Sequence, residues 1–139
     1  KCGTLVRDIE VEDTAVAIVK YKNGAYGVIQ GTTSVYPGLD TRFEVHGELG
    51  TVIFDDHGFK TWKFLGGEEE VPEVEGYVTS ASDPAALSLS GHYIQIDDMA
   101  KAVLEDREPM VPGEEARKAV DLILAIYESS KTGKEIILG

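Results

Sequence analysis

Apolar positions in the first half of the chain follow strand spacing, and in the last third they recur at helical spacing. Thr14 to Tyr21 (TAVAIVKY) is rich in Val and Ile, and after Lys22-Asn23-Gly24 comes a second such run, AYGVIQGTTS. The Asn-Gly pair between them marks a tight hairpin. Both runs are apolar on more than one face in places, which implies burial under helices on one side and against something else on the other. Thr41 to His46 alternates Phe43 and Val45 with Arg42 and Glu44, then turns through Gly47-Glu48-Leu49-Gly50 into TVIF. Asp55, Asp56, His57 and Gly58 make the next turn, leading to FKTWKF. Four or five strands joined by short connections predict a meander.

From Gly66 to Ser90 the pattern breaks into Gly, Glu, Pro, Ser and Asp, which reads as a loop longer than a compact domain usually contains. Ser88 or Ser90 offers an N-cap for a helix from about His92 to Asp106, whose apolar stripe is Tyr93, Ile96, Ala100, Val103 and Leu104. A second helix opens after Pro112-Gly113, with Glu114 and Glu115 placed where carboxylates meet the positive end of the dipole, and runs to about Ser130. Ala119, Val120, Leu122, Ile123, Leu124, Ala125, Ile126 and Tyr127 cover most of its circumference, so it is expected between the sheet and another layer. Thr132-Gly133 stops it, and EIIL reads as a last short strand. Strands followed by helices place the chain in the α+β class.

At 139 residues the chain is long enough for one domain that buries roughly two-thirds of its unfolded surface without a disulfide or metal. A single domain spanning 1–139 is the expectation. The lone Cys2 has no internal partner for a disulfide, which favours a reducing compartment, and the cytoplasm is the simplest placement. No apolar run approaches the roughly 20 residues that cross a bilayer, so no membrane partner is expected. Lys1, not Met, opens the sequence, which reads as a piece of something longer. A net charge of -12 with scattered basic residues repels a phosphate backbone and argues against nucleic acid. The acidic run Glu68, Glu69, Glu70, Glu73 and Glu75 has no accompanying His or spaced ligand set and reads as a solvated loop, not a cation site.

Motifs that carry chemistry by themselves are missing. A nicotinamide site shows strand, G-x-G-x-x-G and helix in a βαβ unit, because glycines let the backbone approach the pyrophosphate at a helix N-terminus. Here Gly47 and Gly50 flank a turn between strands, and Gly66-Gly67 precedes acid. Nor is there a G-x-S-x-G, a Cys-x-x-Cys or an H-E-x-x-H. Residue chemistry alone gives an α+β domain without a stated function.

A family resemblance goes further. It rests on the hairpin YKNGAYGVIQGTTS, the strand-turn-strand RFEVHGELGTVIF with Gly47 and Gly50, the helix HYIQIDDMAKAV, the segment EPMVPGEEARKAVDLILAIYES and the closing KTGKEIIL. In this order the chain resembles the C-terminal domain of the glucose-fructose oxidoreductase, inositol dehydrogenase and rhizopine-catabolism (Gfo/Idh/MocA) family. The resemblance implies an open, mainly antiparallel sheet with helices packed on one face and the other face used for homo-oligomerisation. It also implies a parent NAD(P)-dependent dehydrogenase acting on a sugar, polyol or sugar derivative, with NAD or NADP held by a Rossmann domain that this chain does not contain. The family's catalytic lysine, aspartate and histidine have no counterpart here, so the chain is expected to hold no catalytic residue, no cofactor and no metal, and not to transfer hydride by itself.

The same resemblance places two parts of the chain near substrate. Tyr36, in SVYPGLD, is a candidate for a hydrogen bond to a sugar hydroxyl, against the plainer reading of a turn tyrosine packed on Pro37. His92 stands at a helix N-terminus, where the dipole favours a neutral imidazole able to bond a hydroxyl, against a capping or surface role. Arg42 is a candidate for an anionic group, against the plainer reading of an outward strand arginine beside Glu44 that pairs across strands. Histidines 46 and 57, with Asp55 and Asp56, invite a metal reading that turn chemistry explains more simply. Trp62 and Phe64 alternate on one strand and read as packing or subunit interface before carbohydrate stacking. Two functions stay open: the substrate-binding and oligomerisation domain of a dehydrogenase, or a free-standing binding module that uses its sheet face.

Overall fold

The computed structural model describes residues 1–67, 70–72 and 90–139. Most of the loop read between Gly66 and Ser90, with Ser88 and the acidic residues Glu68, Glu69, Glu73 and Glu75, lies outside the described residues. Among the described residues six strands and two helices follow in order: β1 (Cys2–Gly3), β2 (Thr14–Lys20), β3 (Tyr26–Thr32), β4 (Arg42–Gly47), β5 (Gly50–Asp55), β6 (Gly58–Phe64), α1 (Ser90–Glu105) and α2 (Gly113–Thr132). The fold is α+β, with two open three-stranded antiparallel sheets of order β1-β2-β3 and β4-β5-β6. The meander is thus interrupted at the β3–β4 connection. By contact the chain forms two compact units, Lys1–Val35 with Lys101–Gly139, and Tyr36–Ala100.

In the first unit β2 and β3 pair from Thr14↔Thr32 to Lys20↔Tyr26. Their turn closes as the Asn-Gly pair predicts. Tyr21 N–H donates to Ala25 O at 2.9 Å, Asn23 Oδ1 accepts the Ala25 N–H at 3.0 Å, and Gly24 takes a φ of 91°, which a side chain would strain. The two-residue β1, too short to leave a sequence signal, adds to the β2 edge through Cys2↔Ala15 and Gly3↔Thr14. There the Cys2 N–H donates to Ser130 Oγ of α2 at 2.8 Å and Lys1 Nζ to Ser130 O at 3.0 Å, so α2 is tied to the β1 edge.

Two expectations change. EIIL (135–138) is not a strand, because a short β-prone run needs a neighbouring strand to complete its hydrogen bonds, and the described residues supply none. Nor is α2 enclosed: none of its residues is buried, and Val120, Ile123, Leu124 and Tyr127 keep 41–57% of their surface. The all-round apolar pattern calls for a second layer that the described residues do not provide. Ala102 at 3% exposure is the one buried hydrophobic side chain among them.

In the second unit β4 and β5 turn between Gly47 and Gly50. A Cβ on Gly50 would sit 2.6 Å from Lys63 O and 2.5 Å from the Phe64 ring, so close strand approach requires glycine there. Along this sheet Phe43 stacks on Phe54 with centroids 4.9 Å apart, and Phe54, Phe59, Trp62 and Phe64 continue edge to face at 4.8–5.7 Å. The Trp62 and Phe64 rings therefore pack within their own sheet, and the Trp62 indole N–H is buried without an acceptor.

Candidate functional site

All three residues singled out from the sequence stand in the Tyr36–Ala100 unit. Tyr36 lies on the β3–β4 connection before a cis bond to Pro37 and is 95% exposed, which leaves its ring unpacked and its hydroxyl open to a ligand. Arg42 opens β4, where its Nε lies 2.8 Å from Glu44 Oε1. Glu44 Oε2 in turn lies 3.1 Å from His46 Nε2, and His46 Nδ1 is 3.4 Å from Thr51 Oγ1. Residues two apart on a strand share a face, so Arg42, Glu44 and His46 form one exposed polar row in which the carboxylate is shared. His46 thus belongs to β4 and not to a turn. His92 is exposed in the first turn of α1, which carries no acidic residue. No hydrogen bond or ion pair joins any two of Tyr36, Arg42 and His92 among the described residues.

The sequence pattern missed a pairing between His57 and Asp40. His57 Nε2 is 3.0 Å from Asp40 Oδ2, which ties the β5–β6 turn to the connection that bears Tyr36. Its signal was hidden because the two residues belong to different turns, and His57 sits beside Asp55 and Asp56, which draw attention first. Asp55 instead serves the turn, accepting the His57 N–H at 2.8 Å. Among the described residues no three His, Cys, Asp or Glu side chains converge as a metal cluster.

The second missed residue is Asp13, 2% exposed in the other unit. Its carboxylate accepts the backbone N–H groups of Leu5 at 3.0 Å, Val6 at 2.7 Å and Arg7 at 2.7 Å, and the Thr14 hydroxyl at 3.0 Å. The Arg7 and Leu5 amides, more than offsetting burial, hold this carboxyl far below its ordinary 3.8. Arg7 Nη2 donates to Thr33 O at 3.1 Å, and Tyr127 Oη donates to Glu12 Oε1 at 2.5 Å. That carboxylate, with burial, holds the Tyr127 phenol above its usual range. Three amides around one carboxylate make a closed anion nest whose ligand is internal, so it fixes the 4–13 loop. Nearby, α2 and the C-terminal residues bound an open recess of about 510 Å³, lined by Leu124, Tyr127, Ile136 and Leu138 with Asp121 and Lys131 at its polar positions.

Residues 2–138 match the model of an oxidoreductase family, the C-terminal alpha/beta domain of the Gfo/Idh/MocA type. The chain belongs to that family. Two solved structures resemble this Gfo/Idh/MocA domain over 99% of its length. One is the WlbA dehydrogenase from Bordetella pertussis in complex with NADH and UDP-GlcNAcA, at 31% identity and a TM-score of 0.77. The other is the WlbA dehydrogenase from Chromobacterium violaceum with the same two ligands, at 27% identity and a TM-score of 0.74. The chain spans 40% and 38% of those two chains.

A dinucleotide is held where a parallel strand passes through a glycine-rich turn into a helix N-terminus. Every strand pair described in this Gfo/Idh/MocA domain is antiparallel, and among the described residues no strand passes through such a turn into a helix. The described residues do not fit a nicotinamide dinucleotide. What they offer is exposed hydroxyl, imidazole and guanidinium groups, each able to hydrogen-bond a polar group.

Proposed function

We propose that this chain is the substrate-binding and subunit-assembly domain of an NAD(P)-dependent oxidoreductase acting on a sugar derivative, with a UDP-linked sugar acid as the leading candidate. The observation that carries this reading is the likeness, over 99% of the chain at 31% identity, to a dehydrogenase whose structure holds NADH and UDP-GlcNAcA. Tyr36 and His92 bond sugar hydroxyls, and Arg42 receives an anionic group of the substrate by leaving Glu44. The hydride acceptor and proton relay come from another part of the protein, which accords with antiparallel sheets that do not fit a dinucleotide. The enzyme works in the cytoplasm, in keeping with a lone Cys2.

Assembly uses the first sheet, where Ile18 and its direct partner Val28 keep 75% and 72% of their surface and Tyr26 keeps 68%. An apolar face of this kind is a subunit contact by its chemistry. The test is to express the protein at its full encoded length and follow nicotinamide absorbance with NAD and NADP against UDP-GlcNAcA, other nucleotide sugars and free polyols. Turnover confined to sugar derivatives supports the reading. A folded protein that turns over none of them with either nicotinamide overturns it.

A further inference from the structure

Both central residues of the β5–β6 turn reach the same short piece of chain. His57 Nε2 lies 3.0 Å from Asp40 Oδ2, and Asp56 Oδ2 accepts the Thr41 N–H at 3.1 Å. Behind them the turn is braced from within, since Asp55 Oδ1 accepts the His57 N–H at 2.8 Å and lies 3.3 Å from Lys60 Nζ. Burial works against the Asp55 charge, yet the His57 amide and Lys60 outweigh it and hold the carboxyl below its ordinary value. Residues 40 and 41 are the last of the β3–β4 connection, and only Pro37, Gly38 and Leu39 separate them from Tyr36. At an extended reach of about 3.6 Å per residue, the Tyr36 Cα stays within about 14 Å of the anchored Asp40 Cα. Proline shortens the play further by fixing one backbone angle.

We propose that the β5–β6 turn is a two-point grip that positions Tyr36 for a substrate hydroxyl, with His57 and Asp56 acting through Asp40 and Thr41 without touching the ligand. This rests on the reading of Tyr36 as a substrate contact in the function proposed above. The side chains of His57 and Asp40 are 57% and 33% exposed, so their pairing contributes little to folding. Its effect falls on preorganisation, because an aromatic ring on a tethered segment loses less freedom on binding than one on a loose segment.

The test uses the full-length protein with UDP-GlcNAcA as the probe and four variants: His57→Gln, Asp40→Asn, the double variant and Tyr36→Phe. His57→Gln and Asp40→Asn are each expected to raise KM for the probe about two- to fivefold, with kcat, NADH affinity and Tm unchanged. The double variant is expected to be no worse than the weaker single one. Amide exchange over residues 39–41 quickens in both single variants, whether or not the probe is the true substrate. Unchanged exchange there overturns the grip outright. An unchanged KM in both grip variants, alongside a raised KM in Tyr36→Phe, overturns the grip and leaves the function standing. An unchanged KM in Tyr36→Phe removes Tyr36 from the site, and the proposal falls with it. A joint fall in kcat and Tm marks a merely structural contact and also overturns it.

Discussion

The β1-β2-β3 and β4-β5-β6 sheets share strand number and antiparallel pairing, yet they differ in how far their apolar side chains pack on one another. In the first, aliphatic residues such as Ile18 and Val28 stand open on the surface, while the polar fastening is internal, around a carboxylate that is 2% exposed. In the second, Phe43 and Val45 of β4 keep 53% and 62% of their surface, but five aromatic rings pack against one another along the sheet, while the polar row Arg42, Glu44 and His46 is exposed. A sheet that leaves its apolar face open awaits a large partner. One that packs its own rings and shows charged groups suits a small polar ligand. Under the function proposed above, assembly falls to the first sheet and substrate contact to the second.

The largest effect is expected where the first sheet is fastened. Asp13→Ala strips the ligand from three backbone amides at once, and the chain is expected to lose several degrees of Tm or to stay unfolded, as read by circular dichroism. Because the folded Asp13 carboxyl titrates far below 3.8, its stabilisation is full above that ordinary value and is lost as pH falls below it toward the folded value. The Tm advantage of the natural protein over Asp13→Asn is therefore expected to be constant near neutrality and to shrink below about pH 4. A gap that persists undiminished to lower pH removes the nest from the account.

In the second sheet the matching break is Gly50→Ala. The new methyl would meet Lys63 O and the Phe64 ring, and overpacking of this kind costs about 1–3 kcal/mol in chemical denaturation. A smaller stability effect, with a large effect on assembly, is expected for Ile18→Asp. Substitution at an exposed site changes stability by about 0.5 kcal/mol or less, yet a charge in the apolar face is expected to shift sedimentation of the full-length protein toward a smaller species. An unaltered sedimentation profile would sink the assignment of assembly to this sheet. The smallest stability effect belongs to Arg42→Ala, under about 1 kcal/mol because its ion pair with Glu44 is exposed. Any larger change it makes should therefore fall on substrate KM.

How legible these features were depended on where their signals lie. The Asn23-Gly24 turn, the Gly47–Gly50 turn and both helices could be read from local residue chemistry, because turn residues and periodic apolar positions act over a few neighbours. The failures involved distant partners. EIIL has strand composition, but a strand is defined by its neighbour. Asp13 looked like one more acid because its partners are backbone amides of Leu5, Val6 and Arg7, which leave no trace in side-chain sequence. Of the candidate site, the exposure of Tyr36 was within reach of local reasoning; Arg42 pairs with Glu44 of its own strand and not across strands as expected, and the Asp40–His57 link was hidden because each residue belongs to a different turn.

The division of labour between this domain and the nicotinamide chemistry is the central claim, and calorimetric titration of the 139-residue chain with NADH tests it most directly. With folding verified by circular dichroism, the expected result is no saturable heat, because the described residues form antiparallel sheets with no glycine-rich strand turn into a helix to seat a dinucleotide. Saturable binding in the micromolar range would contradict the account and return the cofactor to this domain.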